Sequence, residues 1–364
     1  MNPHTRRFNL LSKPSQSVGP RLTERRAIPT VFFLASFIGL VFASSASAAG
    51  AFLWGANGHP LTNYPGIPLE DQIKLVVGAG LQSYRVDVTN LDQMDGLATL
   101  IAAGRTRGVT ILPILIPPVD LANASEKDIY ETSFEFARRF VARFDRDVPV
   151  WELGNELENF AIIQPCETRD DGSKYPCEWG PAGGVSELEY VGARFKKVEA
   201  VLRGLSDGAR AASPTARRAI GSAGWGHLGS FARLRASGID WEFSVWHMYG
   251  QDPEWAFKYL ATLKKPIWVT EFNHPNGSAN EGEQKQADGL AVTMRRLLAL
   301  APQYDVQAAY LYELLDEPYW APSFEASMGL VRVLPDSTHQ WKIGEPKIAF
   351  QAVKQATAAV TDLR

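Results

Sequence analysis

Two segments of this chain end in acids that could do chemistry together. Val150-Trp151-Glu152-Leu153-Gly154-Asn155-Glu156 is an apolar, strand-like run closing on an Asn-Glu pair, and Ile267-Trp268-Val269-Thr270-Glu271 is a second run closing on Glu. Hydrolysis of a glycosidic bond needs one carboxylic acid to protonate the leaving oxygen and one carboxylate at the anomeric carbon on the opposite face. Glu156 and Glu271 supply that pair without a metal. Six histidines and two cysteines show no ligand spacing of the H-E-x-x-H kind, so no metal and no cofactor is expected. The Gly-x-Ser-x-Gly match Gly204-Leu205-Ser206-Asp207-Gly208 sits at the end of a helical pattern and follows no strand, so it forms no nucleophile elbow, which argues against ester or peptide hydrolysis on the same scaffold.

Such acids must be held by a rigid frame. Short apolar runs alternate with longer amphipathic stretches, the pattern of parallel strands joined by helices. Eight runs qualify: 52–56, 83–88, 110–116, 148–153, 218–223, 242–247, 267–270 and 307–312. Helical patterns lie between them at 69–79, 128–144, 186–205 and 284–301, and one at 346–359 closes the chain. Eight strand-helix units make a (β/α)8 TIM barrel. A doubly wound sheet also alternates, but no Gly-rich phosphate loop follows an early strand. Barrel chemistry gathers at the carboxyl ends of the strands, where Glu156 and Glu271 fall. The fourth and seventh strands are expected to face each other across the ring. No repeat or linker divides the chain after residue 50, so residues 49–364 read as one catalytic domain.

Residues 1–48 follow other rules. Arg6, Arg7, Lys13, Arg21, Arg25 and Arg26 precede an apolar run from Val31 to Ala43 and then the small residues Ala46-Ser47-Ala48. That is the layout of a signal peptide or N-terminal membrane-targeting segment, with an apolar run shorter than the roughly 20 residues that span a bilayer. An exported protein is expected, periplasmic, cell-surface or secreted, touching a membrane only through this segment. Six Lys and Arg and one Glu lie in it; without them 37 basic and 40 acidic residues become 31 and 39, a charge of −8. Nucleic acid is an unsuitable partner for that charge. Cys166 and Cys177, the only cysteines, sit in one polar stretch, and in an exported chain a disulfide stapling the loop after strand four is the favoured reading.

The strand-end residues resemble those of glycoside hydrolase clan A, retaining enzymes on a TIM barrel. Asn155-Glu156 after strand four and Glu271 after strand seven carry the likeness. So do Gly55-Ala56-Asn57-Gly58-His59 after strand one, Arg85 and Asp87 on strand two, and His247-Met248-Tyr249 after strand six. In style the chain is most similar to the bacterial family 39 glycosidases, with families 5 and 128 close to it. The resemblance implies Glu156 as general acid/base, Glu271 as nucleophile and Asn155 as donor to the sugar 2-hydroxyl. It departs at strand eight, where the clan usually carries Trp and this chain reads Ala309-Tyr310-Leu311-Tyr312-Glu313, leaving Tyr312 as platform.

Physical reasoning adds roles for the neighbours. Arg85 and Tyr249 would hold Glu271 charged, since cations and hydrogen-bond donors favour a carboxylate; the duller role for Arg85 is an ion pair with Asp87, on the same strand face. Asn57, His59, Arg85, His247 and Tyr249 are read as substrate contacts. Among ten Trp and eleven Tyr, Trp225 and Trp320 are taken as sugar-stacking rings, while Trp151 and Trp268 inside strands are read as packing. Glu152 is read as pointing into the barrel or forming an internal salt bridge, and Glu158 as a solvated loop residue. The leading expectation is therefore a monomeric, exported retaining glycosidase acting on a β-linked polysaccharide or oligosaccharide, including an exopolysaccharide. The alternatives are a carbohydrate-binding pseudoenzyme on the same barrel and a different barrel hydrolase.

Overall fold

The computed structural model describes residues 52–338 and 340–361, and the targeting segment expected at 1–48 lies outside the described residues. Strands β1 (Leu53–Gly58), β2 (Ser83–Val88), β3 (Thr110–Leu115), β4 (Val150–Leu153), β5 (Arg217–Ser222), β6 (Phe243–Tyr249), β7 (Ile267–Asn273) and β8 (Val306–Leu311) pair in parallel in chain order, and β8 closes on β1. Helices α1 (Leu69–Gly78), α2 (Met94–Arg105), α3 (Glu126–Phe144), α4 (Gly192–Ala212), α5 (Leu228–Ala236), α6 (Glu254–Thr262) and α7 (Gly282–Tyr304) connect them, and α8 (Ile348–Thr361) follows β8. This is the (β/α)8 barrel that the alternation predicts.

The strands read as continuous apolar runs because both faces are covered, outside by helices and inside by side chains from across the ring. In α3, Ile129, Phe136, Phe140 and Phe144 are buried at helical spacing, and Ser125 caps the first turn by accepting from the Asp128 N–H. Burying each such side chain contributes about 1.5–3 kcal/mol. Inside the ring the filling changes with height. Leu53, Leu112, Val150, Ala219, Phe243, Val245, Trp268, Ala308 and Tyr310 form an apolar floor. Nearer the carboxyl ends, Asn57, Arg85, Glu152, His247, Thr270 and Glu271 are buried polar or charged groups. The floor gives those groups a rigid, water-poor base.

Four features depart from the sequence reading. In the closed order the strand opposite β4 is β8, so β4 and β7 do not face each other; they lie three places apart, with β5 and β6 between them. Strand β7 continues three residues beyond the expected run, which puts Glu271 within it. Against β6 the pairing steps from Trp246↔Val269 to His247↔Glu271, leaving Thr270 as an extra residue. A bulge of this kind re-aims side chains, and here it turns both Thr270 and Glu271 toward the barrel interior, against the usual alternation. Last, a hairpin of β9 (Val331–Pro335) and β10 (Trp341–Pro346) is inserted before α8.

The Cys166–Cys177 disulfide is formed, with the Cα atoms 4.3 Å apart. It lies in the long β4–α4 connection. Arg194 pairs with Glu167 beside it, and Arg233 with Asp170, so the loop is tied to α4 and α5.

Candidate active site

Arg85 on β2 organises the mouth of the barrel. Its Nε and Nη2 donate to the two oxygens of Glu152 at 2.8 and 2.7 Å, and Nη2 donates also to Asn155 Oδ1 at 2.9 Å. Nη1 donates to Glu271 Oε1 at 3.0 Å and to Asn57 Oδ1 at 2.5 Å. All five N–H donors of the guanidinium are thereby used. Burial works against its charge, yet Glu152 and Glu271 outweigh burial and hold the guanidinium above its usual range. Its partner is thus not Asp87, which turns to His59.

The two candidate acids meet at His247 on β6. His247 Nδ1 lies 2.8 Å from Glu156 Oε1 and 3.3 Å from Glu271 Oε2. One carboxylate oxygen from each glutamate and the ring nitrogen all fall within 4.8 Å of one another. On the other side of the ring, Nε2 is 3.1 Å from the Thr270 hydroxyl. The surroundings of the two acids differ. Glu271 is buried against a guanidinium and receives the Tyr249 hydroxyl at 2.6 Å. Glu156, whose side chain is 10% exposed, is held by His247 and by the Asn159 amide at 3.2 Å.

Local backbone choices aim these groups. Glu156 adopts φ 48° and ψ 34°, in the left-handed region that a non-glycine residue enters at a cost, directly after Asn155 and the left-handed Gly154. That reversal ends β4 and turns Glu156 back toward β6. Asn155 Oδ1 faces Arg85, so its amide N–H groups point away, with no hydrogen-bond acceptor among the described residues. Gly224, after β5, has φ +78°, and a Cβ there would sit 1.8 Å from the His247 carbonyl oxygen. Gly224→Ala should therefore destabilise the fold by about 1–3 kcal/mol and displace His247. Thermal melting together with activity checks this, and a variant unchanged in both would remove Gly224 from the site's support.

Other expected contacts fall differently. Asn57 is fully used by the protein: Nδ2 donates to the Thr270 and Leu311 carbonyls and Oδ1 accepts from Arg85. Asn57 and Arg85, expected to touch substrate, thus serve to position Glu271, Glu152 and Asn155, because their polar atoms are saturated. Tyr312 directly follows β8, edge-on to Tyr249 and His59 with ring centres 6.3 and 6.1 Å away. Trp225 is 63% exposed on the rim beside Gly224. Trp320 packs on Tyr319 in the loop after β8.

Glu158 is not solvated. A 3-10 turn over Leu157–Phe160 folds it inward, where it accepts from the Ala223 N–H at 2.6 Å and meets His227 Nδ1 at 2.9 Å. Glu152 is an internal ion pair as read, and its position inside a buried strand was the signal. Thr270 and Asn159 were not singled out, since a hydroxyl within a strand and an amide in a loop carry no distinctive pattern.

Residues 191–305 match a family model described as a glycosyl hydrolase catalytic core. The stretch holds His247, Tyr249 and Glu271 and stops short of Glu156. No curated protein matches the sequence. Among solved structures, the chain is similar to a β-glucosidase from Thermotoga maritima bound to deoxynojirimycin, at 15% identity and a TM-score of 0.59, over 86% of this chain and 98% of that one. A β-glucosidase from Trichoderma harzianum is similar at 12% identity and a TM-score of 0.61, over 85% and 97%. An aphid myrosinase is similar at 11% and 0.58, over 84% and 98%. At these identities the likeness is one of fold. Over residues 191–305 the chain is thus similar to a glycosyl hydrolase catalytic core, set in a closed (β/α)8 barrel. These likenesses do not single out family 39.

Proposed function

We propose that the chain is an exported, retaining glycoside hydrolase that cleaves β-linked polysaccharide or oligosaccharide, with Glu271 as nucleophile and Glu156 as general acid/base. The observation that carries this reading is that one carboxylate oxygen of Glu156 and one of Glu271 lie within 4.8 Å of each other beside His247. Retaining enzymes hold their carboxyl groups about 5–5.5 Å apart, whereas inverting enzymes leave about 6.5–9.5 Å for a water molecule. The β-linkage follows the β-glucosidases that share the fold.

The chemistry divides between the two environments. Glu271, placed by Arg85 and Tyr249, attacks the anomeric carbon while Glu156 gives its proton to the leaving oxygen. Water then enters as the leaving group departs, gives a proton to Glu156, and its oxygen displaces Glu271 from the anomeric carbon. Asn155 donates to the sugar 2-hydroxyl, a bond that strengthens as charge develops on the ring. Tyr312, Trp225 and Trp320 offer flat faces for sugar C–H surfaces, whereas both ring nitrogens of His247 are engaged by Glu156 and Thr270. The deciding experiment incubates the mature protein with a panel of β-linked glycans and follows the product anomers by proton NMR. The β-anomer should appear first; initial formation of the α-anomer would discard the double displacement.

A further inference from the structure

A second cluster joins the ends of β1, β2 and β8. His59, just after β1, places Nδ1 2.6 Å from Asp87 Oδ2 and Nε2 3.3 Å from Glu313 Oε2 and 3.4 Å from Glu317 Oε1. Glu313 is wholly buried and Glu317 is 2% exposed. Neither contact of Nε2 has hydrogen-bond geometry, and Glu313 Oε1 is likewise buried without a partner. Among the described residues, Glu313 and Glu317 form ion pairs with His59 alone. Two desolvated carboxyl groups thus converge on a ring nitrogen that has a well-aligned hydrogen bond to neither.

We propose that His59 Nε2, Glu313 and Glu317 bind one divalent first-row cation, zinc in the first instance, with Asp87 as the outer partner of the histidine. Distances support this assignment. A four-coordinate zinc with bonds of about 2.0–2.2 Å sets neighbouring ligand atoms about 3.3–3.6 Å apart, and the two edges at His59 are 3.3 and 3.4 Å. The outer contacts agree. A metal-binding histidine usually gives its other N–H to a carboxylate, which fixes the tautomer; Asp87 takes that place, leaving the Nε2 lone pair aimed at the glutamates. Tyr312 and Tyr319 donate to Glu317, and Tyr64 lies 3.5 Å from Glu313 Oε2, so the carboxylates are themselves oriented. One nitrogen with two carboxylates suits zinc or manganese, whereas calcium takes six to eight oxygens.

The site is separate from the pair at His247. Glu156, His247 and Glu271 also crowd three donor atoms together, but there His247 hydrogen-bonds Glu156 and Arg85 neutralises Glu271. A cation at His59 would tie the end of β1 to the loop after β8. It would also steady Tyr312, whose ring meets Tyr249. The expectation of no metal came from spacing along the chain, and these ligands lie at positions 59, 313 and 317, a spacing that no local motif covers.

The test uses the full chain, stripped with EDTA and titrated with Zn²⁺ and separately with Co²⁺. One equivalent of zinc should remain after gel filtration, the melting temperature should rise, and cobalt should show the intense visible bands of four-coordination. His59→Asn and Glu317→Gln should lose retention and bands, while Glu156→Gln keeps both. The cobalt spectrum of the unsubstituted chain reports the site even if a variant folds poorly. Failure to retain either metal, as a doubly protonated His59 would cause, overturns the proposal. Retention by both variants with loss in Glu156→Gln overturns it equally.

Discussion

Glu271→Gln should lose turnover by orders of magnitude on every glycoside, whereas the loss in Glu156→Gln should depend on the leaving group. Glu271 attacks carbon, and an amide in its place cannot form the covalent intermediate whatever group departs. Glu156 protonates the departing oxygen, help that general acid catalysis values at about 10²–10⁴-fold. A 2,4-dinitrophenolate leaves without that proton. Glu156→Gln should therefore be severely impaired on a disaccharide, yet keep a near-normal first step on the dinitrophenyl glycoside, seen as a burst. Both replacements preserve shape, and Arg85 retains its two bonds to Glu152 in Glu271→Gln, so thermal unfolding should change little. Steady-state and burst kinetics decide the matter: equal losses on both substrates in both variants would break the assignment of roles.

Arg85→Met should be the most destabilising single change at the barrel mouth. It leaves Glu152 and Glu271, at 1% and 2% exposure, without their shared cation. Removing one partner of a buried ion pair typically costs about 3–5 kcal/mol, because the remaining charge is stranded away from water. Asn57 and Asn155 lose their orienting donor in the same step. Activity should fall even in the folded fraction. The double variant Arg85→Met/Glu152→Gln should regain part of the stability, since it removes one stranded charge, and the coupling is then read from a double-mutant cycle. Urea denaturation measures all four species. A single variant within about 1 kcal/mol of the parent would mean that Arg85 is not the structural centre of the site, given the usual cost of such a loss.

Much of the frame was legible from local pattern. Strand β2 was read at its observed bounds and β3 to within one residue, because buried β-branched runs bounded by turns have few other uses. The hairpin β9–β10 escaped notice, as it sits between β8 and α8 where the alternation predicts only a connection. The polar ends of β6 and β7 also escaped notice. Residues such as Tyr249 and Asn273 look like loop by composition, and they are strand only because the barrel mouth satisfies their side chains. Glu158 was misread for the same reason, since a Glu in a loop is solvated unless the fold brings it a partner such as the Ala223 N–H.

Sequence by itself determined the alternation that closes into a ring, the pair Cys166 and Cys177, and the acids that chemistry would single out. Those rest on period, composition and residue type, all of which act over a few positions. Only the tertiary structure decided which acids share a centre. Arg85 and Glu271 are 186 positions apart, and His247 and Glu156 are 91 apart. Their meeting depends on ring closure, on the extra residue in β7 and on the left-handed turn at Glu156. The same closure brings His59 to Glu313 and Glu317. Contacts across a barrel are set by strand register, and register belongs to the paired strands together rather than to any one segment.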